Sequence, residues 1–432
     1  MRLYHASCVP ETLREHLRAQ ADAVEIIDTH EHVPDERCVC DGRHGFFSFF
    51  DHYVSSDLVS AGMPYDDLLR MRDLSNGLTL EERWALMSPY WPFVRTTGYG
   101  RAMLEYMSDL FGADDINEGT YQELDRRILG ARQPGWYEIV LKEKARIEVS
   151  LVTVWPHGVP EIDKRYFRAV PILDHFAMAA CEADVAELEQ QTGGATIHSL
   201  ERLMEAQEQR LDTFHRAGAV GVKVFLAYRR TLNFEDAERA TARRLFERVR
   251  RARPDELRQV ELKPLQDFMM RRLVGLAAER GLPLQVHTGL QEGNGNIIEN
   301  SNPTHLAPVF LAYPEARFDL FHAGYPFVSQ LTTLAKNFQN VYADLCWIQE
   351  VSPTVAARAL NEWFDALPAN KILAAGGDSN YAEGAYGHLQ VARKIVADVL
   401  AEKVVSGHFS EEEAGWMMRR VLRENAKALF SL

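Results

Sequence analysis

Short apolar runs rich in β-branched residues alternate along this chain with longer segments of helical periodicity. This alternation is typical of repeated strand–helix units around a parallel sheet. Two of the helical segments end at a glycine, Gly218 and Gly281, directly before the next apolar run. Glycine is favoured there because the end of a helix often needs a left-handed backbone. Strands are predicted at 24–28, 148–155, 168–173, 219–226, 282–287, 318–323, 340–346 and 371–377.

Eight strands with intervening helices predict a closed (β/α)8 TIM barrel, and the chain of 432 residues is within the size of one elaborated barrel domain, 1–432. The first two strands are much farther apart than an ordinary strand–helix connection requires. Residues 33–147 are therefore expected to form a mostly helical insertion, which contains aromatic stretches such as HGFFSFFDHY. Because it follows the carboxyl end of a barrel strand, it is expected to lie over the barrel mouth, where barrel active sites form.

Candidate metal ligands occur at the ends of several predicted strands. His30 and His32 are two residues apart, so on a strand both imidazoles project from one face. His287 ends the fifth strand, His322 lies near the end of the sixth, and Asp378 follows the eighth. A lone histidine at a strand end is commonly a hydrogen-bonded core residue. Since these strand ends share one rim of a parallel barrel, the repeated pattern instead predicts a divalent-metal site.

Lys223 lies among apolar residues of the fourth predicted strand. A buried charged lysine is costly unless it is paired or neutral. It could form a buried ion pair, or extend its ammonium group out of the barrel. Alternatively, the neutral amine could capture carbon dioxide, and the resulting carbamate could bridge two metal ions as a carboxylate.

Several side chains near these segments are candidates for contact with a substrate. Arg229, after the fourth strand, could bind a carboxylate, although it and Arg230 could equally be a solvated pair. Arg95 of the insertion could reach down as a second carboxylate clamp, or pack among its aromatic neighbours. The remaining candidates could line the site or only pack within the fold: Tyr228, Tyr325, Trp155 and His175.

Composition narrows the function classes. The formal charge of -14 argues against a nucleic-acid surface, which needs clustered lysine and arginine. No stretch reaches membrane-spanning length, and the first residues lack the apolar run of a signal peptide. Five cysteines are few for this length, so reduced thiols in a cytoplasmic protein are expected. A small molecule is therefore the expected partner, with neither nucleic acid nor membrane.

The order H-x-H, lysine, histidine, histidine, aspartate on strands one, four, five, six and eight resembles the amidohydrolase superfamily. The segments VKVFLAYR, PLQVHTGL, LFHAGYPF, VYADL and RENAKALF are similar to the amidohydrolase module that also occurs fused to glutamine synthetase-like domains. The resemblance extends from about residue 21 to the last residue. It implies a distorted (β/α)8 barrel, a homo-oligomer, and hydrolysis of an amide, lactone or ester bond, amide foremost, in a small anionic substrate.

The resemblance also implies roles for the ligand residues. His30 and His32 would hold the more buried of one or two divalent ions, zinc or alternatively manganese, and Asp378 would share that ion. His287 and His322 would hold the second ion, and a carboxylated Lys223 would bridge the two. Asp378 would be the catalytic group that takes a proton from the attacking, metal-activated water.

Two other functions remain open. The large insertion is similar to that of uronate isomerases, which share the H-x-H start and the late aspartate but isomerise sugar acids at one metal ion. Lys223 and His322 fit the binuclear hydrolase pattern better. A catalytically silent barrel kept as a binding module is the alternative from another class, and the complete ligand set argues against it.

Overall fold

The computed structural model describes residues 9–155 and 161–432, and its centre is a ring of parallel strands. Each apolar run identified in the sequence overlaps one strand, so the predicted (β/α)8 barrel is confirmed. The strands are β1 (Ile26–Glu31), β2 (Ile147–Val154), β3 (Phe167–Pro171), β4 (Val222–Val224), β5 (Leu284–Val286), β6 (Phe318–Leu320), β7 (Val341–Asp344) and β8 (Ile372–Leu373).

Backbone hydrogen bonds join two parallel sheets into the ring. One sheet has the order β1-β2-β3 and the other the order β4-β5-β6-β7-β8. A parallel bridge between Ile172 and Lys223 joins β3 to β4. The Thr29 amide donates to the Ala375 carbonyl at 2.6 Å and joins β8 back to β1. Strands β4 to β8 are shorter than the predicted runs because the chain turns into loops and single-turn helices at their carboxyl ends.

The long connection between β1 and β2 is mostly helical and has an aromatic core. Four phenylalanines of a short 3-10 helix, Phe46–Phe50, are buried there. These side chains pack against the short helices that surround them. Such short helices would be only marginally stable in isolation. After α1 (Glu11–Ala23), which precedes β1, the helices of this connection are α2 (Glu36–Val39), α3 (Tyr53–Ser60), α4 (Tyr65–Arg72), α5 (Leu80–Met87), α6 (Trp91–Val94), α7 (Gly98–Phe111) and α8 (Tyr121–Ala131), followed by a π-helix (Glu138–Lys144).

The last helix packs in a small apolar cluster with residues of β1, β2, β3 and β8, and the other remaining helices share one larger apolar core with the strands. Those before β4 and β5 end as the sequence predicted, since Gly218 and Gly281 have φ angles of 96° and 63°. The α-helices are α9 (Glu182–Gln191), α10 (Leu200–Arg216), α11 (Arg239–Val249), α12 (Gln259–Glu279), α13 (Ala307–Ala312), α14 (Val328–Asn337), α15 (Ile348–Val351), α16 (Pro353–Ala366), α17 (Ala382–Val405), α18 (Glu411–Arg419) and α19 (Asn425–Phe430).

The structure also gives the apolar character of the helices and the state of the cysteine thiols. Within the described residues, no helix combines the length and the apolar character that crossing a bilayer requires. Four cysteines lie in the described part of the chain, and each is a free thiol: Cys38, Cys40, Cys181 and Cys346.

A buried ion pair fastens the insertion to the barrel. Arg132, at the end of α8, is 3% exposed, and Glu383, in the first turn of α17, is 1% exposed. The guanidinium donates to both carboxylate oxygens, at 2.8 and 3.1 Å, and the Trp136 indole donates to the same carboxylate at 2.8 Å. Arg132 also donates to the His44 carbonyl and lies over the Phe49 ring. The aromatic core of the insertion is thereby held against α17, whose start follows β8.

Replacing Arg132 with methionine should lower the free energy of unfolding by about 3–5 kcal/mol, because it leaves the Glu383 carboxylate buried and unpaired. Urea unfolding followed by circular dichroism measures the change. The control Arg126→Met removes an exposed pair with Glu123 and should cost no more than about 1 kcal/mol. The double variant Arg132→Met, Glu383→Leu should recover much of the loss. Equal effects of the buried and exposed single variants would contradict this role.

Candidate metal centre

The predicted metal ligands converge at the carboxyl ends of the strands. The Nε2 atoms of His30 and His32 lie 3.1 and 2.9 Å from Oδ1 of Asp378. His322 Nε2 lies 3.9 Å from the other oxygen, Oδ2. Two groups of three side chains result, His30–His32–Asp378 and His287–His322–Asp378, and within each group the ligand atoms are within 4.8 Å of one another. Asp378 belongs to both groups.

The contact between His287 and His322 is the clearest indication of a cation. His287 Nε2 donates to the Leu290 carbonyl and His322 Nδ1 donates to the Cys346 carbonyl, each at 2.8 Å. In neutral rings these bonds leave His287 Nδ1 and His322 Nε2 without protons. The two bare nitrogens are 3.0 Å apart, so their lone pairs face each other. A divalent cation between them would turn this repulsion into coordination, and the carbonyl bonds hold the rings in orientation for it.

The electrostatics keep the ligands in their metal-binding forms. Burial, together with the positive charge of Lys223, lowers the pKa of His30 to about 3 and that of His287 to about 3. Burial also holds the pKa of His322 well below its ordinary value. Burial alone would raise the pKa of Asp378, but His30 and His32 outweigh it and hold that pKa well below the usual value. The buried rings are therefore neutral and the carboxylate is ionised, as metal binding requires.

Lys223 points into the metal centre. It is 3% exposed, and its Nζ lies 3.2 Å from His30 Nε2 and 4.0 Å from the centre of the Phe321 ring. Among the described residues, no carboxylate oxygen lies within 4.0 Å of this Nζ. Burial lowers the pKa of the amine, and the carboxylates of Asp378 and Asp319 oppose the effect. The side chain therefore neither extends out of the barrel nor forms a close ion pair.

Left-handed backbone conformations cluster where ligands leave their strands. His322 and Asp378 have φ angles of 64° and 58°, which cost free energy in residues other than glycine. The turn before Asp378 is held on two sides. Tyr53 of the insertion donates to the Gly377 carbonyl at 2.6 Å. A Cβ at Gly377 would lie within 2.1 Å of His388 ring atoms, so only glycine fits there.

A second layer of buried polar groups supports this turn, and sequence reasoning missed it. His388, to which the sequence pattern assigns no role, lies with Nε2 2.7 Å from Oε1 of Glu31. The other oxygen of Glu31 accepts from the Ser379 amide at 2.6 Å. Asp28 completes the group, which is also compact enough to hold an ion. Glu31 has partners at both carboxylate oxygens, and through the Ser379 amide it holds the chain segment that carries Asp378.

A cavity of about 930 Å³ opens above the candidate metal ligands. His32, His287, Lys223 and Asp378 form part of its lining. An apolar wall includes Val154, Trp155, Ile172 and Phe225. Of the substrate-binding candidates, the structure brings Tyr228, Arg229 and Trp155 to this cavity.

The structure places the other candidates elsewhere. The Arg95 guanidinium pairs with Asp115 inside the insertion, away from the cavity lining. Tyr325 is half-buried, and its backbone carbonyl accepts from the Leu290 amide. His175 lines a smaller adjoining chamber of about 220 Å³, with Nε2 2.7 Å from Gln191 Oε1. Arg230, which follows Arg229 in sequence, is buried and paired with Asp267 at 2.6 Å.

Among the cavity residues that were not identified from the sequence are two titratable groups, His52 and Glu292. His52 comes from the insertion, has a φ of 86°, and lies with its ring centre 6.1 Å from that of His32. Burial lowers the pKa of His52 to about 4. Glu292 lies on the loop after β5, and burial raises the pKa of its carboxyl. The only available sequence signal was their membership of segments expected near the mouth.

A closed parallel barrel with histidine and aspartate ligands at its strand ends defines the class of metal-dependent amidohydrolase-type barrels. A family model described as Amidohydrolase matches residues 174–432, and the chain belongs to this family. Protein fluG of Emericella nidulans is 29% identical over 233 aligned residues, and the match covers 51% of this chain and 26% of that protein. The chain therefore matches about a quarter of the length of that relative.

Solved structures show the same fold at low sequence identity. A uronate isomerase from Thermotoga maritima is 17% identical with a TM-score of 0.80, covering 100% of both chains. A protein from Lactobacillus casei, for which a metal-dependent hydrolase activity has been suggested, is 18% identical with a TM-score of 0.66. That match covers 96% of this chain and 97% of the other. At these identities the similarity demonstrates the fold alone.

In metal-free protein, the rings of His30 and His287 should stay neutral from pH 8 down to about pH 5, because burial lowers the pKa of each to about 3. Nitrogen NMR of histidine-labelled protein measures ring protonation directly. His30→Gln and His287→Gln assign the two signals, and the urea-unfolded chain, with histidine pKa values of about 6.5, is the reference. Protonation of either ring above pH 5 in the folded protein would contradict this electrostatic account.

Proposed function

We propose that this protein is a metal-dependent hydrolase that cleaves an amide bond, or less favourably an ester or lactone bond, of a small molecule. The observation that supports the proposal most is the contact of two unprotonated nitrogens of His287 and His322, next to the separate His30–His32 pair. Each pair offers a place for one cation and both share Asp378. Two adjacent cations sharing a carboxylate are typical of hydrolytic centres.

The donor set fits zinc, with manganese as the alternative, because neutral imidazoles and carboxylates suit both ions. A bound divalent ion supplies a Lewis acid and lowers the pKa of water from about 15.7 to near 7, which provides hydroxide at neutral pH. Lys223 would join the ligand set as a carbamate, formed when its neutral amine adds to carbon dioxide and releases one proton. The absence of a close carboxylate among the described neighbours of its Nζ leaves room for that added negative group.

Asp378 is the proposed proton carrier. Its ionised carboxylate faces the ligands of both cation positions, so it can accept a proton from the attacking water. It would then pass that proton to the nitrogen or oxygen of the leaving group. Tyr228, Arg229 and Trp155 would contact the rest of the substrate, since they line the cavity above the metal ligands.

A uronate-isomerase-like reaction at one metal ion is the second candidate. The overall similarity to the Thermotoga maritima uronate isomerase and the position of His52 beside His32 favour it. The apolar wall of Val154, Trp155 and Phe225 argues against it, because a polyhydroxylated sugar acid needs polar partners. A catalytically silent binding module is the weakest candidate, since binding alone does not require the full ligand set.

Protein purified without chelators or a histidine tag should contain about two equivalents of zinc or manganese per chain, measured by mass spectrometry of the metal. His322→Gln should reduce this to about one, because the His30–His32 position remains intact. About one equivalent in the wild type would leave Lys223 structural and place the isomerase reaction level with hydrolysis. No metal, even after reconstitution, would refute the metal centre.

Asp378→Asn should lower kcat at least about a hundredfold on any substrate that the wild type hydrolyses, because the amide cannot accept the proton of the attacking water. Some metal should remain bound, so turnover and metal content are measured on the same samples. Asp41→Asn, which alters an exposed carboxylate paired with Arg43, is the control and should leave kcat unchanged. Near-normal turnover of Asp378→Asn would refute the catalytic role.

A further inference from the structure

The cavity has an uneven charge distribution outside the metal ligands. Four other lining residues are acidic: Asp35, Glu161, Asp163 and Glu292. The basic lining residues are Lys223, deep in the metal centre, and Arg229, which is exposed at the rim. Asp35 and Asp163 are already neutralised by ion pairs with Arg37 and Arg165, at 2.8 and 2.6 Å. Of the two that remain, Glu161 is exposed to solvent, whereas the Glu292 side chain is half-buried.

The backbone around Glu292 is fastened on two sides. Its amide donates to the Tyr228 hydroxyl at 3.0 Å, which ties it to the segment after β4. The next amide, of Gly293, donates to Ser56 Oγ of helix α3 at 3.2 Å. The Asn294 side chain donates to the Ser56 carbonyl, also at 3.2 Å. These bonds hold Glu292 at the cavity, where the barrel loop and the insertion meet.

Among the described residues, the Glu292 carboxylate has no hydrogen-bond partner and no cation within 4.0 Å. Arg72 is near enough to lower its pKa, although burial has the larger and opposite effect. The Arg72 guanidinium itself pairs with Asp51. Partial burial of a carboxylate without a partner costs free energy, and a charge-assisted hydrogen bond from a ligand in the cavity would offset part of that cost.

We infer that Glu292 binds an ammonium group of the substrate, so that the substrates are amides or esters carrying a primary amine. This inference rests on the proposed function. The apolar wall of Trp155, Ile172 and Phe225 would contact an aliphatic segment between the amine and the scissile bond. Glu292 would then determine specificity without touching the reacting atoms. The expected substrate is then cationic or zwitterionic, whereas the sequence resemblance implied an anionic substrate.

Hydroxamic acids test this inference without turnover, because the hydroxamate group chelates the metal and the other end probes the cavity. The zinc-loaded protein is titrated calorimetrically with hydroxamates of four, six and eight carbons that end in a methyl, an ammonium or a carboxylate group. At the best length the ammonium compound should bind about tenfold more tightly than the methyl compound. The carboxylate compound should bind more weakly than both.

Two variants attribute the preference to Glu292. Glu292→Gln should bring the ammonium and methyl compounds within about threefold of each other, and Glu292→Lys should make the carboxylate compound the tightest of the three. Asp163→Asn is the matched control, since its carboxylate is already paired with Arg165, and it should keep the wild-type preference. Equal binding of ammonium and methyl compounds at every length, or a preference that survives Glu292→Gln, would overturn the inference.

If the protein has no metal centre, the hydroxamate titration gives a result that differs from a failure of the inference about Glu292. If no hydroxamate binds, the proposed function fails, and the metal-free protein is compared in 1,5-diaminopentane and in glutarate. The diamine should then raise Tm of the wild type but not of Glu292→Gln, whereas glutarate should raise neither. A diamine effect that is absent from the wild type, or equal in both proteins, would overturn the inference about Glu292.

Discussion

The close approach of His287 and His322 is the constraint on which the rest of the centre depends. Two unprotonated ring nitrogens 3.0 Å apart repel each other, and burial prevents protonation from relieving the repulsion. The rings stay in place because each donates its other nitrogen to a backbone carbonyl. The folded protein therefore maintains an arrangement of the two rings that is unfavourable without a cation and that a bound cation would stabilise. Such local conflict is expected where function, rather than stability, determines residue choice.

The support for this arrangement extends outward in layers. Glu31 links His388 to the Ser379 amide, and Tyr53 holds the Gly377 carbonyl, so the turn at Asp378 is bound from both sides. Behind this turn, α17 is joined to the insertion through Arg132 and Glu383. The insertion is therefore connected to the candidate metal ligands through α17, which carries both Glu383 and His388. The insertion is consequently a structural part of the site as well as a cover.

The predictable parts of the molecule are those determined by local pattern and by barrel geometry. The strands followed from β-branched runs, and the convergence of His30, His287 and Asp378 followed because parallel strands end on one rim. His52 was missed because its position depends on how a long insertion folds back, which no local periodicity encodes. Glu292 was missed because the position of its loop depends on contacts with the segment after β4 and with that insertion. Arg95 illustrates the same limit, since its partner Asp115 lies within the insertion rather than at the mouth.

The cavity is formed by two parts of the molecule, the barrel strand ends and a roof of other segments above them. This division also explains why similar folds do not imply one reaction. The strand ends carry the candidate metal ligands, whereas the roof over them is built from the insertion and the loop after β5, joined through Ser56 and Gly293. Glu292 and His52 both belong to this roof. A barrel can keep its ligand set while the roof changes, so substrate selection is determined by contacts that the metal chemistry does not constrain. In the described part of this chain, Glu292 is a carboxylate of the insertion and loop region that lines the cavity without a hydrogen-bond partner, so a ligand group can pair with it.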